Sequence, residues 1–263
     1  MVRVLISTGN AIGVDEAGSG DAVPIVFLHG VGSDKSVWAP QLAHFGASRR
    51  AVAFDYPGYG ESDPGAGGTT RDDFAAAMLA AMDALGIDRA HVCGLSLGGV
   101  IAIAMHGAAP ERCVSLIIAD SFAVHPDGHA IHERSIAAAT DMRALAEGRA
   151  DALLAQPADP AVRKEVIETM AKIDPAAFCI GAGAVWLADQ RDRAAAIRVP
   201  TLVLCGTEDR VTPPALSREL AHLIPGAQYE LVAGAGHLSN LERPDEFNTW
   251  VEAFIRGVDS RSA

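Results

Sequence analysis

The stretch Val92-Cys93-Gly94-Leu95-Ser96-Leu97-Gly98-Gly99 sets a serine between two glycines, with apolar residues before it and the helix-like run Val100 to Met105 after it. This spacing predicts a strand that turns directly into a helix. A turn so sharp puts the serine in a strained backbone conformation and brings neighbouring chain too close for side chains on either flank, a nucleophile elbow. The strain lifts the Ser96 hydroxyl into a cleft. A Gly-x-Ser-x-Gly pentapeptide arises by chance in many chains, so its context decides the reading.

A serine hydroxyl is a poor nucleophile at its ordinary pKa and needs a base, with a carboxylate to orient that base. Downstream, Val199-Pro200-Thr201-Leu202-Val203-Leu204-Cys205-Gly206-Thr207-Glu208-Asp209-Arg210-Val211-Thr212-Pro213-Pro214 gives a short apolar strand, a glycine turn and then Asp209. Taken alone, an acidic pair before Pro-Pro is ordinary loop chemistry. Glu208 and Asp120 compete for the role, Asp120 because it closes the apolar run Val114 to Ala119, but a fuller motif surrounds Asp209. Next, Gly234-Ala235-Gly236-His237-Leu238-Ser239-Asn240 places His237 in a glycine-rich loop before a last helix, which singles it out among nine histidines as the base.

These segments, in the order Ser, Asp, His, resemble the α/β-hydrolase superfamily over essentially the whole chain. The resemblance implies Ser96, Asp209 and His237 as catalytic residues. Phe27-Leu28-His29-Gly30-Val31-Gly32 looks like the superfamily's His-Gly-x loop. There the residue after His-Gly and the residue after the nucleophile give the two backbone N–H groups of an oxyanion hole, which nominates Val31 and Leu97. His29 is expected to brace its loop rather than titrate. Phe54-Asp55-Tyr56-Pro57-Gly58-Tyr59-Gly60-Glu61-Ser62 fits the superfamily's Asp-x-Pro-Gly-x-Gly-x-Ser turn and is read as structural.

At 263 residues and 49% hydrophobic content the chain can bury a large core, and one catalytic domain is the simplest count. Its 21 basic and 33 acidic residues give a formal charge of -12, which disfavours nucleic acid and anionic membrane surfaces as partners. The apolar stretch at the N-terminus is too short for a signal peptide and no segment approaches an 18-residue apolar span, so a cytoplasmic location is expected. Homo-oligomerisation is left open. Cys93, Cys113, Cys179 and Cys205 show no metal-ligand spacing, and His125 and His129 straddle Pro126 and Gly128. Neither a metal nor an organic cofactor is expected.

Strand-like runs near 2–6, 11–15, 23–28, 51–54, 90–94, 114–119, 201–205 and 227–232 alternate with helical patterns at 36–45, 70–85, 97–108, 214–223 and 244–256. The alternation predicts an α/β fold with a mostly parallel, eight-stranded sheet covered by helices on both faces. Residues 121–196 break it. They hold no convincing strand and are interrupted at Pro126, Gly148, Pro157, Pro160 and Pro175, which predicts about four short helices. The expected organisation is a core of 1–120 and 197–263 with an inserted helical cap at 121–196, in the place where the superfamily carries caps.

Ser36-Val37-Trp38-Ala39-Pro40-Gln41-Leu42, Cys93 to Gly99, Gly206 to Asp209 and Gly236 to Glu242 are similar to the 3-oxoadipate enol-lactonase branch, alongside small carboxylesterases. That similarity implies a small ester or lactone as substrate, a carboxylate-bearing enol-lactone of aromatic catabolism among them, opened through an acyl-enzyme. Trp38, Arg134, Arg143 and Trp186 are the candidate substrate contacts. The same three catalytic residues serve C–C bond hydrolases of vinylogous diketones and cofactor-free haloperoxidases or perhydrolases. Diketone turnover in preference to esters, or peracid formation from acetate and peroxide, would separate these. Ser96 excludes the dehalogenases and epoxide hydrolases of this fold, which need a carboxylate nucleophile. A ligand receptor on the same scaffold, marked by a long-lived adduct after one turnover, is the non-enzymatic alternative.

Overall fold

Strands buried on both faces dominate the centre of the sheet, as continuous apolar runs such as Ile25–Leu28 and Ala51–Phe54 require. The computed structural model describes residues 2–65 and 69–262. One eight-stranded sheet contains β1 (Val2–Leu5), β2 (Ala11–Ala17), β3 (Ile25–Leu28), β4 (Ala51–Phe54), β5 (Ala90–Leu95), β6 (Cys113–Ala119), β7 (Thr201–Gly206) and β8 (Gln228–Val232). Their spatial order is β1-β2-β4-β3-β5-β6-β7-β8. β2 runs antiparallel to both neighbours, and every pairing from β4 to β8 is parallel.

From β3 the chain steps outward to β4, returns past β3 to β5, and then winds the other way. The carboxyl ends of β3 and β5 therefore bound a crevice at the point where the winding reverses, the place where open α/β sheets bind ligands.

The helices are α1 (Ala39–Phe45), α2 (Arg71–Ala84), α3 (Leu97–Ala108), α4 (Gly128–Ala138), α5 (Met142–Leu153), α6 (Pro160–Met170), α7 (Pro175–Trp186), α8 (Arg191–Ala196), α9 (Pro214–Leu223), α10 (Ser239–Glu242) and α11 (Pro244–Ser262). Local chemistry explains several starts. Thr70 and Asp73 form a capping box on α2, and Asp141, Asp159 and Asp174 accept first-turn N–H groups of α5, α6 and α7. No helix among the described residues is long and apolar enough to cross a membrane.

Between β6 and β7 stand five helices, α4 to α8, rather than about four. The additional break has no proline or glycine. After Trp186, Val124 and Asp189 form an isolated antiparallel bridge, and Asp189 Oδ1 accepts the Arg191 N–H at 3.2 Å to start α8. Gly148, expected to interrupt a helix, lies inside α5, whose neighbouring turns continue through it at modest entropic cost.

Candidate active site

Ser96 occupies the junction of β5 and α3 with φ 55° and ψ −113°, a conformation costing about 1–3 kcal/mol for a non-glycine residue. The surroundings hold it there. Its N–H donates to Ala119 O at 2.9 Å, while its carbonyl accepts from Gly99 N at 2.9 Å and from Ser121 Oγ at 2.8 Å. The glycines on either side are required by close approach: a Cβ on Gly98 would meet the Leu28 carbonyl, and one on Gly94 the Gly98 carbonyl. The elbow is thus wedged against the end of β3.

Asp209 follows β7 and is 3% exposed, and His237 lies between β8 and α10 at 4%. His237 Nδ1 stands 2.8 Å from Asp209 Oδ2. Because the carboxylate can only accept, Nδ1 carries the proton and Nε2 is left with its lone pair. Asp209 Oδ1 also accepts from Val211 N at 2.8 Å and Thr212 N at 2.9 Å, so the carboxylate cannot swing away. The Thr212 hydroxyl completes this knot, 2.7 Å from Asp209 Oδ2, 2.9 Å from Asp120 O and 3.2 Å from His237 Nδ1. Sequence reading missed Thr212. Its signal is the spacing of three from Asp209, which suits a side chain closing its own turn.

Asp120, the rival acid, faces elsewhere. Its Oδ1 accepts from Gly206 N at 2.8 Å and its Oδ2 from Ser239 Oγ at 2.5 Å, tying β6 to β7 and to the start of α10. Burial first, and then the neighbouring Asp209 charge, push its pKa up to about 8. At His237, burial opposes protonation, but the charge and hydrogen bond of Asp209 outweigh it and the pKa lies above the ordinary histidine value. Asp120, Asp209 and the Cys205 thiol cluster closely enough to suggest a metal, yet both carboxylates are already occupied by N–H and O–H donors.

The His29 ring sets the remaining polar groups. It is fully buried, and burial pushes its pKa down, so it is neutral. Nδ1 lies 2.8 Å from Gly30 O, and Nε2 faces the Tyr56 N–H at 3.4 Å. A neutral ring in this setting donates from Nδ1 and turns the Gly30 carbonyl toward itself. In a trans peptide the next N–H points the opposite way, so His29 orients the Val31 N–H. Neither that N–H nor the Leu97 N–H at the first turn of α3 has a hydrogen-bond partner among the described residues. The Asp55 turn is a brace: buried Lys35 pairs with Asp55 at 2.9 Å and with Glu61 at 3.0 Å.

Ser96, His237 and Val31 border one cavity of about 30 Å³, roofed by Leu153 of α5 and by Val166 and Met170 of α6. Neither Ser96 Oγ nor His237 Nε2 has a hydrogen-bond partner among the described residues. The base is held from both sides: His237 N–H donates to Leu153 O at 2.8 Å, while Glu242 accepts from Ala155 N and from Gly236 N, each at 2.7 Å.

The four expected substrate contacts are not brought to this cavity. Trp38 is fully buried and stacks on Phe27 at 4.8 Å, and Trp186 is buried beside Phe122 at 5.8 Å. Both rings serve the core, which is where large apolar side chains go when a helix face points inward. Arg134 is exposed on α4. Arg143 is exposed on the outer side of α5, in a pair with Glu168 at 2.7 Å. The arginine that does border the cavity is Arg149.

The profile of the alpha/beta hydrolase family matches residues 25–250, and the chain belongs to that family. It is 29% identical over 254 residues to 3-oxoadipate enol-lactonase 1 of Acinetobacter baylyi, covering 95% of each chain. It is also 30% identical over 264 residues to carboxylesterase YbfK of Bacillus subtilis, covering 92% of this chain and 83% of that one. Among solved structures, the enol-lactonase of Burkholderia xenovorans LB400 superposes with a TM-score of 0.90 at 31% identity, covering 97% of this chain and all of the other.

Proposed function

We propose that the protein is a serine hydrolase that opens small esters or lactones through an acyl-enzyme on Ser96. The observation that carries this reading is the 2.8 Å pair of Asp209 and His237 bordering the same cavity as the strained serine. His237 Nε2 takes the Ser96 proton as the hydroxyl attacks, and Asp209 stabilises the resulting imidazolium. The two unengaged N–H groups of Val31 and Leu97 receive the charge that develops on the carbonyl oxygen. His237 then passes its proton to the leaving oxygen, and water admitted after departure of the alcohol repeats the sequence in reverse. For a lactone the alcohol stays tethered to the acyl group. Residues 121–196 act here as a cap whose α5 and α6 close the cavity over the serine. The enol-lactonase and esterase names of the relatives support the substrate class.

Covalent trapping tests the reading. Incubation with an alkyl fluorophosphonate should add one phosphonyl group to the peptide containing Ser96, read by mass spectrometry, and abolish turnover of a short-chain aryl ester in step. Labelling elsewhere, or turnover that survives full labelling, would overturn it.

A base must be neutral to accept a proton, so kcat/KM should rise with pH through the His237 pKa. Because Asp209 holds that pKa above the ordinary value of about 6.5, the midpoint of the ascending limb is expected above 6.5. Asp209→Asn should move it downward, since the largest influence opposing burial is then gone. A pH profile with its midpoint below 6 in the unsubstituted enzyme would contradict this assignment.

A further inference from the structure

The cavity bordered by Ser96 and His237 holds about 30 Å³, roughly the room of one or two waters, whereas an ester must place a carbonyl, a leaving group and an acyl chain there. Part of its wall must yield. The strand order says which part of the substrate meets which wall. Ser96 follows β5, with the loop after β3, Gly30 to Gly32, on one side of it and the loops after β7 and β8, with Asp209 and His237, on the other. The leaving oxygen takes its proton from His237 Nε2, so the alcohol part of the substrate belongs with the β8 loop. The acyl chain is then directed toward the β3 loop and whatever covers it.

Met170, the last residue of α6 and 1% exposed, covers it. A Cβ placed on Gly32 would meet Met170 Cε inside contact distance, and the next nearest atoms are Met170 Sδ at 3.5 Å and Cγ at 3.7 Å. Gly32 is not among the glycines with positive φ, so its backbone conformation does not call for glycine. Its bare Cα is instead a berth filled by the methionine methyl. Met170 is also the lining side chain best built to move. Val31, Val37 and Val166 are branched at Cβ and stiff at χ1, whereas methionine is unbranched, with three rotatable bonds. The backbone nearby is pinned: Asn240 Nδ2 donates to the Val37 carbonyl at 2.9 Å, and the Leu153 carbonyl accepts the His237 N–H at 2.8 Å. We propose that Met170 determines acyl specificity: its side chain fills the acyl site over Gly32 and withdraws to admit a short chain. The length accepted is set by how far this one side chain retracts, an inference that rests on the Ser96 hydrolase reading.

The experiment varies the two halves of the ester separately. With the leaving group constant, 4-nitrophenyl acetate, butanoate, hexanoate and octanoate form an acyl series, of which the unsubstituted enzyme should prefer the short members. Met170→Ala should raise the hexanoate-to-acetate ratio of kcat/KM by roughly 10- to 100-fold, the scale on which an apolar pocket reads chain length. With the acyl group constant, methyl, butyl and hexyl acetate form an alcohol series, whose kcat/KM ratios should stay where they are in the same variant. A general loosening of packing would not divide the two series in this way. A second measurement keeps Met170 in place. In protein carrying ¹³C-methyl methionine, the Met170 signal is identified among the six methionines by its loss in Met170→Leu. Phosphonylation of Ser96 by a fluorophosphonate with hexyl at phosphorus puts a chain where the acyl group goes and should shift that signal, and one with methyl should shift it less. An unchanged hexanoate-to-acetate ratio, a change in the alcohol series instead, or a Met170 signal indifferent to chain length overturns the proposal, while turnover of the esters leaves the mechanism standing. Failure to hydrolyse any ester, with Ser96 unlabelled, strikes the hydrolase reading, and the acyl assignment falls with it.

Discussion

Ser96→Ala is expected to lower kcat for a short-chain aryl ester by roughly three to six decades, with KM little changed and the fold intact. The size follows from chemistry: without the hydroxyl no acyl-enzyme forms, and only the oxyanion donors and substrate positioning remain to assist water. The tolerance of the fold follows from geometry. Ser96 Oγ has no hydrogen-bond partner among the described residues, so its removal strands no buried polar group. The strained backbone at φ 55° is inherited by alanine, so no strain is relieved either. Steady-state kinetics with circular dichroism and a urea unfolding curve check both halves. A variant retaining more than about a hundredth of the activity would move the nucleophile elsewhere.

Asp209→Asn should lower kcat by roughly 10⁴, the scale at which a mis-set histidine tautomer disables this chemistry. The asparagine amide would present an N–H to Nδ1, and His237 would respond by carrying its proton on Nε2, where it can no longer act as a base. Asp120→Asn should cost less than about tenfold, because the amide can still accept from Gly206 N and meet Ser239 Oγ. The second variant also has a signature in stability. Asp120 has a folded pKa of about 8 against an ordinary carboxyl value of about 3.9, so its contribution is fully present below pH 4 and is lost as pH rises toward 8. Urea denaturation across that window should show the unsubstituted protein losing stability relative to Asp120→Asn as pH rises. The reverse ranking of kcat losses would assign the acid to the end of β6.

The elbow and the two loops that follow it were readable because backbone geometry writes itself into sequence. Where Gly98 must clear the Leu28 carbonyl, only one residue type fits, and the same holds at Gly94. The strand and helix alternation was readable for a similar reason, since β3 to β7 are buried almost throughout on both faces and are mainly apolar, with His91, Ser115 and Thr201 as buried polar members. What α4 to α8 turn toward the cavity was not. Arg143 and Arg149 are both arginines on α5, and which faces inward depends on how α5 rotates against α6, a tertiary outcome. A signal did exist: Arg149 falls in phase with Met142, Ala146, Ala150 and Leu153, a charged residue in an apolar stripe. The tryptophans misled in the opposite sense. Trp38 and Trp186 had the chemistry of a binding surface, but packing against Phe27 and Phe122 spends them on the core.

The hydrogen bond from the His237 N–H to the Leu153 carbonyl joins main chain to main chain, and the two N–H groups that the Glu242 carboxylate accepts, those of Ala155 and Gly236, are main-chain donors as well. No side chain of the helical interval takes part in that joint. The amino acids of α5 are therefore free to vary without breaking that joint, which lets one catalytic frame explore many substrates. Length is not free in the same way. Adding or removing a residue between 150 and 156 would slide a different carbonyl into place, and an interval transplanted from a relative would need its register matched at this point before its sequence mattered at all.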